Sequence, residues 1–346
     1  MRKILVFFCR LRRMLQFAIV NMRGSRYNPG GCNAIFCFRR GVWKMDIWLQ
    51  AAIYLATMCL GFLLKRVGIF QRENSSVFAS IIFYATLPAL VVSSYAGVEV
   101  TLWFMVAFSL GIFSNLFNLA AGALASRGRK PQERAIYFIN TPGFNLGGIA
   151  IPFLQSFYPA GVPYLCMFDT ADSFFTMGTT YSIAKLLFGQ KKGILAQLRE
   201  ICRSLLSSVP FIAYLFMTII SLLHLSLPTP VMELAGFVGK ANAPLVMLML
   251  GVSFELQIKK EDLKDILSIL GLRLACSVAL FIFILYFLPG PALMKQVLAV
   301  CVFAPIPNLC MIYSHKIDSN SSVASTLNPV AIILSIIFMS VAMSLV

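Results

Sequence analysis

The sequence predicts an all-α membrane protein: ten transmembrane helices in two inverted five-helix repeats, with broken crossing helices 4 and 9. Three observations lead there. The chain of 346 residues is 59% hydrophobic and 12% charged, with a mean hydropathy of +0.83, whereas soluble globular proteins carry roughly 25% charged residues. Apolar runs of about 17–25 residues, the length a bilayer demands, recur from near residue 47 to the end. Lysine and arginine gather in alternate connections between those runs.

In chain order the expected spans are 47–66, 77–96, 101–125, 132–156, 163–188, 204–225, 231–256, 264–288, 291–314 and 322–345. The first, third, fifth and seventh connections read "KRVGIFQRE", "SRGRKPQER", "GQKKGILAQLRE" and "IKKEDLKD". The even ones read "YAGVEV", "SFYPAGVPY", "SLPTP" and "LPGPA" and contain no lysine or arginine, while the ninth, "SHKIDSN", has one lysine. Basic connections stay on the cytoplasmic side, so odd connections are expected inside, even ones outside, and both ends of the ten-helix core outside. This divides the chain into a first repeat over 45–188, a cytosolic connection over 189–203 and a second repeat over 204–346.

The first 44 residues stand apart, with ten basic and no acidic side chains. Arg10, Arg12 and Arg13 interrupt the opening apolar run and no small-residue cleavage site follows it, so it is a poor signal peptide. An interfacial helix, an eleventh segment near 3–22, and a natural start at Met45 that makes the extension non-native all remain open. Intact mass separates the last from the others. The formal charge of +16 sits in connections, where a membrane surface explains it better than nucleic acid. Nine cysteines form no CxxC pair, and His224 and His315 lie far apart without a ligand pattern. No metal, organic cofactor or nucleic-acid partner is therefore expected, and no nucleophile or acid–base set suggests an enzyme.

Each half places its most polar, interrupted span fourth: "FINTPGFNLGGIAIPF" and "VFAPIPNLCMIY". Pro142 and Pro152 lack amide hydrogens, and Gly143, Gly147 and Gly148 permit close approach or unusual dihedrals. Irregular backbone at membrane depth must be covered by protein, water or ligand. Asn140 and Asn145 offer donors and acceptors, and half-helix N-termini attract anions. Pro305, Pro307 and Asn308 repeat these capacities in the second half. Two readings stand: kinked helices glued by amides, or the two halves of a substrate site formed by discontinuous helices.

Asp169 and Asp172 lie three residues apart on one helical face. Carboxylates in a membrane core call for a cation, water or protonation, so coupling or gating by a proton or sodium ion is one role. Bracing a broken helix, for Asp169, or facing an aqueous cavity, for Asp172, is the other. Arg273, alone in an apolar run, is a candidate for holding a carboxylate substrate, pairing with an aspartate, or snorkelling to the cytosolic interface. Asn115 and Asn118, and likewise Ser325, Thr326 and Asn328, fit a cavity lining or simple interhelix packing. Glu255 reads as a helix-end residue.

"GFLLKRVGIF", "FYATLPALVV", "INTPGFNLGGIAIPF", "FDTADSFFTMG", "APLVMLMLGVSFEL" and "PIPNLCMIYSHKIDSNSSVASTLNPVA" occur in that order. Together they resemble the auxin efflux carrier family, including its bacterial malate-permease-like members, over about residues 47–345. The resemblance implies a five-plus-five inverted fold and alternating access for small organic anions such as auxin or dicarboxylates. It places Asn140 to Pro152 and Pro305 to Asn308 in the two crossovers. Asp169 matches a frequently acidic position, whereas Asp172 stands where an amide is more usual. The basic extension and the short fifth connection also depart from the family. The expectation is a secondary carrier of malate or another carboxylate in a bacterial inner membrane, with lipids around it and a homodimer as a further assembly. A membrane sensor that binds a carboxylate without moving it is the alternative.

Overall fold

The computed structural model describes residues 34–95, 98, 101–187, 194–254, 262–317 and 321–346. Contacts divide the chain into Met1–Asp46 and Ile47–Val346, and the architecture below is that of the second unit. The segment expected at 3–22 lies outside the described residues, as do Glu255 and parts of the second, fifth, seventh and ninth connections.

Every regular element among the described residues is a helix. The backbone is helical over Ala34–Arg66, and α1 here denotes its stretch Ile47–Arg66. There follow α2 (Asn74–Ser94) and α3 (Leu102–Ala125), α4 (Pro131–Asn140), α5 (Leu146–Gln155) and α6 over 162–187. The second half holds α7 (Ile194–Leu206), α8 (Val209–Leu222), α9 (Thr229–Ser253), α10 (Leu263–Tyr286), α11 (Ala292–Cys301), α12 (Asn308–Lys316) and α13 (Ser321–Leu345). Six of these, α1, α2, α3, α9, α10 and α13, are long and apolar enough to cross a membrane. Their outer faces expose Leu60, Tyr84, Leu102, Phe237, Leu267 and Tyr286, an apolar surface that suits a membrane. The chain is a multi-pass membrane protein.

The other four expected spans are the interrupted or short ones, for physical reasons. The fourth parts into α4 and α5 around 141–145, and the ninth into α11 and α12 around 302–307, where proline removes donors and blocks the preceding turn. The fifth, α6, carries two aspartates and kinks at Gly178, inside a π turn. There a Cβ would press on Ile201 of α7, so the small residue lets that helix dock. Within the expected connection over 189–203 lies most of α7, which runs on to Leu206. Ile201 and Leu205 sit on one face of a helix whose last turn absorbs 204–206. The sixth helix therefore starts only at Val209, with Ser208 Oγ accepting from the Phe211 amide at 3.5 Å and Pro210 in the first turn.

Packing groups most of the helices into two bundles, which touch each other where α6 meets α2 and α8. In one, α2 lies against α8 and α9, and α1 meets α9. In the other, α3 packs on α6 and α10, α10 on α11 and α13, and α12 on α4 and α13. The α1–α9 crossing depends on two glycines: a Cβ on Gly251 would fall on the Met58 carbonyl, and one on Gly61 on the Leu248 carbonyl. Backbones approach this closely only through small residues. Gly251→Val is expected to cost about 1–3 kcal/mol or more, read as a lower unfolding midpoint in detergent. An unchanged midpoint would mean that the two helices separate freely.

Candidate functional site

The site begins on one stripe of α3. Gly111, Asn115, Asn118 and Gly122 recur at helical spacing and are buried. At Gly111 the stripe meets Ala171 and the Phe168 carbonyl of α6, and at Gly122 it meets the Tyr137 carbonyl of α4 and Thr141 of the first break. Asn115 sits between them. Its amide nitrogen donates to Asp172 Oδ1 at 2.8 Å and to the Gly111 carbonyl at 3.0 Å, and its amide oxygen accepts from the Gly143 N–H at 2.8 Å. Asp172 Oδ1 also accepts from the Phe144 N–H at 3.1 Å. Asp172, 1% exposed, thus holds an amide that the broken helix cannot satisfy.

Carbonyls are the complementary problem, because α4 and α11 both end inside the protein. Arg273 resolves most of it. Its Nη1 donates to the carbonyls of Asn140 (3.3 Å), Thr141 (2.5 Å) and Pro142 (3.4 Å), and its Nη2 to those of Gly143 (2.9 Å) and Ala304 (3.2 Å). One turn along α10, Ser277 Oγ donates to the Val302 carbonyl at 2.6 Å. A fixed cation at two helix C-termini is electrostatically favourable, and the guanidinium fork suits several acceptors at once. The breaks also touch directly. The Asn145 N–H donates to the Pro305 carbonyl at 2.9 Å, and Gly143, at φ +84°, leaves only 3.0 Å between a would-be Cβ and Pro307.

Asn140 turns away from this junction. Its amide donates to the Ile136 carbonyl (2.9 Å) and to Ser314 Oγ of α12 (3.1 Å), and it is 1% exposed. Asn145, Gly147 and Asp169 lie half-buried on the other side. The Asn145 amide packs over Gly148, where a Cβ would collide with it. Asp169 Oδ2 accepts from Tyr214 Oη of α8 at 2.6 Å, which links the two bundles. The two aspartates therefore have different partners. The snorkelling alternative for Arg273 is overturned, because its side chain is buried among backbone carbonyls.

Pro305 and Pro307 are buried, whereas Asn308 is exposed. Asn308 Oδ1 accepts from Asn328 Nδ2 of α13 at 2.9 Å, and Asn328 reaches the Ile306 carbonyl at 3.4 Å. Both asparagines line a cavity of about 480 Å³ between α2, the end of α9, α12 and α13. It separates the bundles on the side of the first, seventh and ninth connections. Tyr214 and Ser277 were not singled out in the sequence, since a lone hydroxyl in an apolar helix usually just packs. His315, set aside for lack of a ligand pattern, lines the cavity.

No curated protein matches the chain. A family model described as membrane transport protein matches residues 49–343, which takes in both breaks, Arg273 and the cavity. The chain therefore belongs to the auxin efflux carrier-like family of membrane transport proteins.

Proposed function

We propose that the protein is a secondary carrier of a small organic anion, malate or another carboxylate, that works by alternating access in a bacterial inner membrane. In this reading the ten expected helices form two inverted repeats with odd connections in the cytoplasm. The observation that carries it is the junction of the two broken segments, clamped by Arg273, beside a cavity that Asn308 and Asn328 line. Discontinuous helices that meet between two bundles are the usual setting of a transported ligand. Asn145, Gly147 and Asn308, with the backbone around them, contact the anion; Asn140, Gly143, Pro305, Pro307 and Arg273 hold that backbone in place. One bundle rocks against the other. No covalent step is involved.

Movement of this kind must break the bonds between bundles. Tyr214 Oη to Asp169 is such a bond. Asp169 is the carboxylate at that contact, so in this reading it couples a proton or cation to the motion, while Asp172 is held by Asn115 and the break. Asp169→Asn is expected to abolish the dependence of flux on an imposed pH or sodium gradient while leaving the protein folded. Unchanged gradient dependence would remove Asp169 from coupling. The whole reading is tested by counterflow of labelled carboxylates in proteoliposomes. Carboxylate binding without flux under any gradient would favour a sensor instead.

A further inference from the structure

α7 carries two stripes of different character. Ile201 and Leu205, four residues apart, face the protein. A Cβ at Gly178 would stand 2.6 Å from Ile201 Cγ1, so Ile201 rests on the kink of α6 itself. Turned away from these, Arg199, Cys202, Arg203 and Leu206 follow at i, i+3, i+4 and i+7, and all four are exposed. This outer stripe holds two guanidinium groups and no carboxylate, and the ion pairs among the described residues involve neither arginine. Leu206, 63% exposed, lies shortly before Ile212, where α8 begins an exposed apolar face that continues through Leu215, Phe216 and Ile219. The stripe therefore borders the lipid-facing surface of the protein.

We propose that this stripe binds the headgroup phosphates of anionic phospholipids, and that the bound lipids hold α7 against the Gly178 kink. Membrane composition then acts on α6. Guanidinium forks suit phosphate oxygens, and an arginine beside an anionic membrane surface gains about fivefold in affinity from its charge alone. Leu206, on the same stripe, enters the apolar layer beneath the headgroups, as the apolar residues of interfacial helices do. The contact at Ile201 passes the effect inward. The π turn Phe175–Thr179 begins just after Asp172, and Thr179 and Thr180 brace its widened backbone by donating to the Phe174 and Phe175 carbonyls at 2.6 and 3.0 Å. Thr176 Oγ1 donates to the Asp172 carbonyl at 3.2 Å. A lipid at α7 thus steadies the turn that follows the carboxylate holding the first break. This holds whether or not the carrier reading stands.

The test is amide hydrogen exchange in nanodiscs of phosphatidylglycerol or phosphatidylcholine, for the wild type and for a double variant with Arg199→Gln and Arg203→Gln. Both side chains are exposed, and size-exclusion chromatography checks that the variant folds. In phosphatidylglycerol the wild type is expected to exchange about fivefold more slowly over 194–206 and over 175–180, and the double variant to lose that difference. Arg127→Gln with Lys130→Gln removes the same charge from the third connection, where both side chains are also exposed, and should keep it. Equal exchange of the wild type in the two lipids, or loss of the difference in the control pair as well, overturns the headgroup site. Inorganic phosphate that slows exchange equally in phosphatidylcholine overturns it too, in favour of a free anion. Slowing confined to 194–206 overturns the link to α6.

Discussion

Arg273→Leu is expected to cost the fold about 3–5 kcal/mol, the scale for removing one partner of a buried charged network, and to abolish transport. The loss falls on named groups: the carbonyls of Asn140, Thr141, Gly143 and Ala304 lose their donor, and Asp172 loses a neighbouring positive charge. In thermal unfolding in detergent this corresponds to a drop on the order of 10 °C. Arg273→Lys keeps the charge but offers one ammonium where a planar fork spans two breaks, so it should recover only part of the loss. Adding Asp172→Asn to the leucine variant should also recover part, because it removes a carboxylate left buried beside an apolar side chain. A leucine variant with the wild-type midpoint would show that the breaks hold without the guanidinium.

Gly143→Ala carries the second large effect, expected at about 2–5 kcal/mol. Two costs combine. The φ of +84° lies where an L side chain is strained, and the new Cβ would stand 2.8 Å from Thr176 Cγ2 and 3.0 Å from Pro307 Cγ. The two breaks would have to part, which strains the Asn145–Pro305 hydrogen bond. Gly128→Ala is the matched control. It has a similar φ of +77° but nothing within 4 Å of its Cβ, so it bears only the conformational cost, about 1–2 kcal/mol. Equal melting of the two variants would mean that contact between the breaks contributes nothing to the fold.

Much of the architecture was legible because the signals are local. A bilayer selects apolar length, so α1, α2, α3, α9, α10 and α13 could be placed from hydropathy alone. Proline and glycine act on their own turn, so 141–145 and 302–307 could be marked as breaks before any contact was known. α7 was missed because its apolar face is short and lies among lysines and arginines, where hydropathy averages out. The site was harder. Arg273 had three readings in sequence, and burial against the breaks removed the snorkelling one. Asn140 and Asn145 looked equivalent, yet one ties α4 to α12 and the other lies half-buried with its amide over Gly148. Tyr214 and His315 carried no usable signal, since their roles depend on what faces them.

By itself the sequence determined that the chain is helical and membrane-embedded, and where two of its helices must break, because solvent exclusion and backbone chemistry operate along the chain. Only the tertiary structure decided which groups meet the orphaned amides and carbonyls at those breaks. Arg273 lies more than 120 residues from the first break, and Asp172 and Asn115 stand on separate helices. Their meeting depends on which helix faces pack together, which is a property of three-dimensional packing that no spacing in the sequence encodes.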